Sequence, residues 1–370
     1  MTSPADPARL AERFPVRGEV ARRPAAEREA VLERLSFGVD FTDHMARAIH
    51  THGQGWHDRE LLAYGPLTLS PATSVLHYGQ EIFEGLKAYR HADGSIWTFR
   101  PERNAERFNR SARRLALPEL PVEDFLGSIA ALVSADREWV PSTPGSSLYL
   151  RPFAFASEAF LGVRSAHEVT YLVIASPVGP YFAKGFKPVA IWVSTDYHRA
   201  GPGGTGAAKT AGNYAASLLP QDEAAAQGCE QVCFLDAATN TVLEELGGMN
   251  IFVVGSDGTV RTPALTGTIL EGVTRSSVIQ LLADRGRSVV ETQIPLDELL
   301  QGIRSGDVAE VFACGTAAVV TPIGRLAGKG FDLAIGDGEP GAVTSELHAS
   351  LTDIQYGRAD DPHGWLHRLV

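Results

Sequence analysis

Between residues 147 and 152 polar and apolar positions alternate, Ser147-Leu148-Tyr149-Leu150-Arg151-Pro152. That period predicts a half-buried strand with Tyr149 and Arg151 on one face. Residues 171–176 and 308–312 are continuous apolar runs, the pattern of fully buried strands. Further strands are expected over 66–71, 95–99 (the return of a hairpin turning at Asp93-Gly94), 189–194, 231–236, 251–254 and 319–323. Helical patterns cover 25–35, 101–115 with Pro101 in the first turn, 121–133 and 346–351. Another helix is expected to begin within 272–276, with Thr274 as N-cap, Val278, Leu281 and Leu282 apolar, and Gly286 as its stop. The pattern over 41–56 is amphipathic but mixed, and Trp365 is expected to anchor the tail. Residues 1–24, rich in Pro, Ala and Arg, read as loosely held. The apolar rhythm breaks over Pro177-Val178-Gly179-Pro180-Tyr181-Phe182-Ala183-Lys184-Gly185. The expected organisation is an N-terminal arm (1–40), a smaller α/β domain (41–178), a loop (179–188) and a larger domain (189–370).

Composition narrows the function. Of 370 residues, 44% are hydrophobic and 21% charged, a globular balance, and the net charge of -11 argues against a broad nucleic-acid surface. No apolar run approaches the roughly 20 residues that cross a bilayer, and residues 1–23 lack a secretory signal's apolar core. The cysteines, Cys229, Cys233 and Cys314, are few and odd in number, which suits a reducing cytoplasm. Cys229 and Cys233 have no companion His or Cys pair at zinc spacing, so no metal is expected.

Lysine is scarce: Lys87, Lys184, Lys187, Lys209 and Lys329 are all there are. Lys209 sits in a glycine-rich run, Gly201-Pro202-Gly203-Gly204-Thr205-Gly206-Ala207-Ala208-Lys209, read as flexible, and is followed by Gly212-Asn213-Tyr214. Arginine stays protonated, whereas a lysine can be tuned to form a Schiff base. The start of the expected helix at 272–276 offers backbone amides to an anion, and Thr274 and Thr316 could add hydroxyl donors. Glu245, amid small residues, could meet a cationic ring nitrogen. These are the needs of pyridoxal phosphate: a lysine, an acid opposite the pyridinium, a phosphate cradle and a phenolate donor. Of the arginines at 103, 107, 110 and 114, most are expected on a solvated helix face, with one inward member able to grip an anion. Arg151 beside Tyr149 is a candidate carboxylate clamp, because its fork matches two oxygens.

Taken together, Leu76-His77-Tyr78-Gly79, Phe83-Glu84-Gly85-Leu86-Lys87, Tyr149-Leu150-Arg151-Pro152, Lys209 with Gly212-Asn213-Tyr214, Glu245 to Asn250, and Gly315-Thr316-Ala317 closely resemble branched-chain amino-acid aminotransferases, from about residue 41 to the end of the chain. The resemblance implies a two-domain α/β (mixed α+β) fold type IV architecture with a smaller N-terminal α/β domain and a larger C-terminal pseudo-barrel. It implies pyridoxal 5'-phosphate as cofactor, held covalently by Lys209, with Tyr214 at its phenolate oxygen and Glu245 at its ring nitrogen. Arg107, Val273, Thr274 and Thr316 would hold the phosphate. Tyr149 and the amides near Thr316 and Ala317 would take the substrate α-carboxylate. Phe83, Tyr78, Tyr149 and Tyr181 would wall the side-chain pocket, and Arg151 with Tyr78 would clamp glutamate's second carboxylate. The expected reaction moves an amino group between leucine, isoleucine or valine and 2-oxoglutarate. A homodimer is also implied, the partner subunit's Tyr78, Leu161 and Val163 completing the site. Ala211 and Gly248 depart from the family pattern, glycine and threonine respectively being frequent there. A D-amino-acid aminotransferase, an aminodeoxychorismate lyase and a nucleotide-binding regulator are the alternatives. The last would need a GxGxxG or GxxxxGK[ST] run, which 201–206 does not provide.

Overall fold

The computed structural model describes residues 6–181 and 185–370; residues 1–5 of the expected arm and 182–184 of the expected loop lie outside them. The chain forms two compact units, Met1–Tyr181 with Asp353–Val370, and Phe182–Thr352. The first contains α1 (Pro7–Ala11), α2 (Ala25–Glu33), β1 (His44–Thr51), β2 (Gly55–Ala63), α3 (Val75–Tyr78), β3 (Glu81–Phe83), β4 (Leu86–Arg90), β5 (Ile96–Phe99), α4 (Pro101–Arg114), α5 (Val122–Ala135), β6 (Ser147–Ala156) and β7 (Glu168–Val178). The second contains β8 (Val189–Ser194), α6 (Ala211–Ala215), α7 (Leu218–Ala226), β9 (Gln231–Leu235), β10 (Leu243–Leu246), β11 (Asn250–Gly255), β12 (Val260–Pro263), α8 (Val273–Asp284), β13 (Val289–Thr292), α9 (Leu296–Ser305), β14 (Val308–Gly315), β15 (Val319–Gly328) and β16 (Phe331–Ala334). Helix α10 (Ala342–Gln355) runs across the division, and β17 (Leu366–Arg368) ends the chain.

The first sheet has the order β17-β5-β4-β6-β7-β1-β2, with β3 added to β6, and is antiparallel throughout. The ambiguous stretch 41–56 resolves as the β1–β2 hairpin, whose turn uses Gly53 and Gly55 in the left-handed region that glycine tolerates. The sheet is covered by α5, buried along most of its length, where Ser128 Oγ lies 2.9 Å from the hydroxyl of Tyr171. The expected strand over 66–71 is not formed. Pro66 and Pro71 have no N–H to give a ladder, and Ser70 turns the chain by accepting from the Ala72 amide.

Two further expectations are corrected. The arm is not loose: Leu10, Phe14 and Val31 are part of the first core. The carbonyl of Leu10 presses so close to α5 that a Cβ on Gly127 would lie 2.7 Å from it, and Arg13 Nε donates to the buried Asp124 at 2.8 Å. The tail does not complete the second domain: β17 pairs with β5, and Trp365 packs edge-on against Phe99 with ring centroids 5.4 Å apart. With arm and tail counted in it, the first unit spans more residues than the second.

The second sheet has the order β10-β9-β8-β15-β14-β11-β12-β13, with β16 added to β15. It is mixed: β8 runs parallel to both neighbours, and β12 parallel to β13. Its central strands are buried on both faces, with Phe252 and Phe312 stacked at 4.9 Å across β11 and β14. Helix α9, absent from the expected elements, buries Leu299 and Leu300 and packs Leu296 and Ile303 beside them. Helix α8 starts two residues earlier than expected, with Gly272 rather than Thr274 as N-cap.

The buried arm yields a stability prediction. Phe14 is 1% exposed, and truncating a buried Phe costs about 3–5 kcal/mol. Phe14→Ala should lose that much in urea denaturation; a loss under about 0.5 kcal/mol, as for ordinary surface positions, would mean the arm is detachable after all.

Candidate active site

The second unit assembles four of the expected groups. Lys209 lies at the end of a loop that leaves β8 and enters α6. Two of the loop's glycines serve close packing rather than flexibility, while Gly203 takes up the left-handed φ of +73°. A Cβ on Gly204 would lie 2.8 Å from the Gly201 carbonyl, and one on Gly206 would lie 2.2 Å from the carbonyl of Thr268. Buried Asn213 staples the loop: its Nδ2 donates to the carbonyls of Thr205 (2.8 Å) and Ala208 (2.9 Å), and its Oδ1 accepts from the Thr205 hydroxyl at 2.6 Å. Held this way, Lys209 Nζ donates to the hydroxyl of Tyr214 at 2.8 Å. The sequence spacing thus becomes an amine–phenol pair across the first turn of α6.

Glu245 lies on β10, every residue of which is buried. Its Oε1 accepts from the Leu270 amide at 2.8 Å and stands 3.0 Å from Arg199 Nη1; its Oε2 accepts from Asn250 Nδ2 at 3.2 Å. Burial pushes this carboxyl up to about 7, and the Arg199 charge is the largest force holding it down. Lys209 acts in the same sense, more weakly. Arg199 was missed in the sequence. The signal was indirect: an acid chosen for a buried ring needs a permanent cation, and Arg199 stands two residues before the glycine run.

Helix α8 supplies the anion site. No side chain caps it, and Gly272 is needed there because a Cβ would lie 2.1 Å from Asn250 Oδ1. Val273 and Thr274, both buried, form its first turn at the positive end of the helix dipole. Thr316 and Ala317 lie in the turn between β14 and β15. Gly315 fixes that turn, since a Cβ there would meet Met249 Cγ at 3.2 Å and the Gly248 carbonyl at 3.3 Å. Beside Gly248 the space is open to a Cβ.

The first unit holds the remaining candidates. Arg107 is the buried arginine of α4, while Arg103 and Arg114 are exposed and Arg110 is half-buried. Its Nε and Nη2 donate to Glu84 Oε1 (2.7 Å) and Oε2 (2.8 Å), and Asn104 Nδ2 also donates to Glu84, at 2.8 Å. Glu84, given no role from sequence, is therefore what aims Arg107. On β6, Tyr149 and Arg151 share the half-buried face as expected, with Arg151 Nη2 donating to the Tyr149 hydroxyl at 3.1 Å. That hydroxyl occupies the place of a Cβ on Gly85, 2.1 Å away. The guanidinium lies over the rings of Phe83 (4.9 Å) and Tyr149 (5.3 Å), and its Nε is buried without a hydrogen-bond partner. Phe37, from the arm, stands between Tyr149 (5.1 Å) and Tyr181 (5.2 Å), a wall residue the sequence did not reveal. Tyr78 is placed apart from this group: its hydroxyl donates to the Leu161 carbonyl, and Tyr78, Leu161 and Val163 are all exposed.

The donor set of the second unit fits pyridoxal phosphate: a primary amine beside a phenol, a buried carboxyl within reach of the amine's charge, and a helix start with no side-chain cap. No group of three or more His, Cys, Asp or Glu among the described residues is placed to hold a metal. Residues 81–326 match the family described as Amino-transferase class IV. The chain is 55% identical over 346 residues to a probable branched-chain-amino-acid aminotransferase of Streptomyces coelicolor, covering 93% of this chain and 95% of that protein. Among solved structures, a T.th. branched-chain amino acid aminotransferase with pyridoxamine 5'-phosphate superposes with a TM-score of 0.72 at 29% identity, covering 88% of this chain and 99% of the other. The same enzyme complexed with N-(5'-phosphopyridoxyl)-L-glutamate gives a TM-score of 0.70 at 28% identity, with the same coverage.

The raised Glu245 carboxyl predicts a pH signature in the cofactor-free protein. A group whose folded pKa lies above its unfolded value stabilises below the unfolded pKa, and that stability is lost as pH rises through the folded one. Relative to Glu245→Gln, the parent should lose stability between about pH 4.5 and 7, by on the order of 3 kcal/mol from the size of the shift. Chemical denaturation of both proteins across that range checks it; a pH-independent difference would count against the assignment.

Proposed function

The chain belongs to the branched-chain amino-acid aminotransferases, pyridoxal-phosphate-dependent transaminases of the class IV, fold type IV family, and on that premise we propose its substrate pair and the work of each residue. The amino group passes from leucine, isoleucine or valine to 2-oxoglutarate in two alternating half-reactions, the second running through glutamate. When bound, pyridoxal phosphate supplies an aldehyde for a primary amine and a ring that accepts the electrons left when the substrate α-carbon loses its proton.

In this reading Lys209 Nζ carries the cofactor. As a free amine at this place it would move a proton between the substrate α-carbon and the cofactor's C4' carbon. Tyr214, already bonded to that nitrogen at 2.8 Å, keeps the amine oriented and donates to the phenolate oxygen. Glu245 keeps the ring nitrogen protonated, which strengthens the ring as an electron acceptor. The amides of Val273 and Thr274, the Thr316 hydroxyl and Arg107 hold the phosphate; Glu84 fixes the arginine's fork in one orientation. Tyr149 and the amides at Thr316 and Ala317 take the α-carboxylate. Phe83, Tyr149, Tyr181 and Phe37 give the aliphatic side chains an apolar wall.

The observation that carries the glutamate half is Arg151. Its Nε is buried with no hydrogen-bond partner, on an otherwise aromatic face. A carboxylate entering an apolar pocket is costly unless paired, and this guanidinium has a donor to give it. The T.th. relative forms a complex with a phosphopyridoxyl derivative of glutamate, which supports glutamate as the second amino donor. Arg151→Met should therefore slow the glutamate half-reaction by about 100-fold, from the roughly 3 kcal/mol lost when a buried pair is broken. The leucine half-reaction should stay within about threefold. Single-turnover kinetics with each amino acid decide it, and equal losses would count against the clamp.

We also propose a homodimer in which the partner subunit's Tyr78, Leu161 and Val163 complete the site. The support is the exposure of Leu76, Tyr78, Leu161 and Val163 together on one loop pair joined by the Tyr78–Leu161 bond. Val163→Asp should weaken self-association in sedimentation velocity and lower activity in parallel at nanomolar dilution. A monomer with undiminished turnover would refute this arrangement.

A further inference from the structure

We infer that Arg199 is the positioning residue of cofactor capture: it holds Glu245 as an aimed carboxylate and ties the lysine-bearing loop to the same point. The inference rests on the reading above that Glu245 meets the ring nitrogen. The Arg199 side chain is 2% exposed. From that place its Nη1 reaches three separate segments: the Gly206 carbonyl of the lysine loop (3.2 Å), the Thr268 carbonyl (2.8 Å) and Glu245 Oε1 (3.0 Å). Its Nη2 donates again to Gly206 (3.2 Å). Gly206 and Thr268 come together only because Gly206 has no Cβ. Their two carbonyls form a seat that a planar fork fills and a single ammonium does not.

The seat is continuous with the rest of the site. Glu245 Oε2 accepts from Asn250, whose Oδ1 presses on Gly272, the N-cap of α8. One line of contacts therefore runs from the amine loop through Arg199, Glu245 and Asn250 to the anion-binding helix start. The ionisable groups that act on Glu245 or feel its charge are Arg199, Lys209, Glu244, Cys233 and Cys314. Both thiols are pushed up to about 12 by burial and stay neutral, and Glu244 opposes ionisation of its neighbour. Of the two cations, Lys209 commits its amine to the cofactor. Arg199 is then the cation that stays with the carboxylate throughout. A protonated, neutral Glu245 could not stabilise a pyridinium, so the arginine determines whether the acid is in its working form when the ring arrives.

The test is a double-mutant cycle on cofactor binding, read by equilibrium dialysis of the cofactor-free protein against pyridoxal phosphate. Arg199→Met should raise the dissociation constant at least about tenfold more in the parent than in a Glu245→Gln background, the non-additivity expected of two groups acting as one. Affinity should rise with pH as the carboxylate forms, with the midpoint higher in Arg199→Met than in the parent. Ionisations of the cofactor itself are common to all variants and cancel. Arg199→Lys, which keeps the charge but not the fork, should weaken binding while leaving that midpoint in place. Additive losses within about threefold would overturn the inference. So would a midpoint displaced by more than about one unit, or 1.4 kcal/mol, in Arg199→Lys, a result available even if Arg199→Met does not fold. An unchanged constant in Glu245→Gln alone identifies a different failure, that of the ring-nitrogen assignment itself.

Discussion

A carboxyl taken out of water must be matched by a positive charge or keep its proton, and Glu245 is the point at which this chain meets that constraint. The residue is buried on β10 and bonded to β11 and to the segment before α8. Left to burial alone it would be neutral near physiological pH; the guanidinium at 3.0 Å, the Leu270 amide and Asn250 oppose that. Pairing a buried acid this closely is a poor way to gain stability. It is a good way to keep a charge where chemistry will need one, because a low-dielectric site magnifies whatever charge remains. The second sheet supplies the rigidity: its central strands are buried on both faces, so the acid cannot relax toward solvent.

The same economy of space recurs wherever a functional group is placed. Gly206 lets a loop carbonyl and Thr268 share one guanidinium, Gly272 admits the Asn250 amide to the start of α8, and Gly85 gives the Tyr149 hydroxyl room on β6. In each case the missing Cβ marks a contact too tight for any side chain, and in each case a polar atom is what comes close. Gly204 and Gly206 therefore mark a closely fitted stretch of the loop before Lys209. Such a fit would suit the role proposed for Lys209, an amine that must return to the same position after each half-reaction.

Much of the site was legible because its chemistry is written locally. Lys209 and Tyr214 meet across one helical turn, Tyr149 and Arg151 meet by the period of a strand, and Val273 and Thr274 open a helix; spacing alone places such pairs. What stayed hidden depends on long-range contacts. Nothing in the sequence around Arg199 points to Glu245, nor around Glu84 to Arg107, nor around Phe37 to Tyr149. The arm was misread for a related reason: its Pro, Ala and Arg content resembles a linker, yet Leu10, Phe14 and Val31 join the first core and Arg13 bonds to Asp124 on α5. The tail was assigned by order along the chain, whereas the edge of β5 offered it an unpaired ladder. Helix α9, by contrast, was legible: Leu296, Leu299, Leu300 and Ile303 repeat at helical spacing and pack on the second core, so nothing physical concealed it.

A perturbed amine is not by itself a reactive one, and Lys87 makes the distinction within this molecule. Burial pushes it down to about 8, as far toward a neutral nucleophile as a catalytic lysine needs. Yet burial is the sole cause of that shift, and the residue belongs to a paired strand, facing Tyr149 across the β4–β6 ladder. Lys209 is only half-buried, and it differs above all in company. A phenol holds its nitrogen at 2.8 Å, a carboxyl whose ionisation Arg199 favours feels its charge, and an uncapped helix start belongs to the same unit. Desolvation prepares an amine for attack, but only such neighbours decide what it attacks and where the proton goes afterwards. That is why the pKa shift at Lys87 carries no functional assignment, while the geometry at Lys209 does.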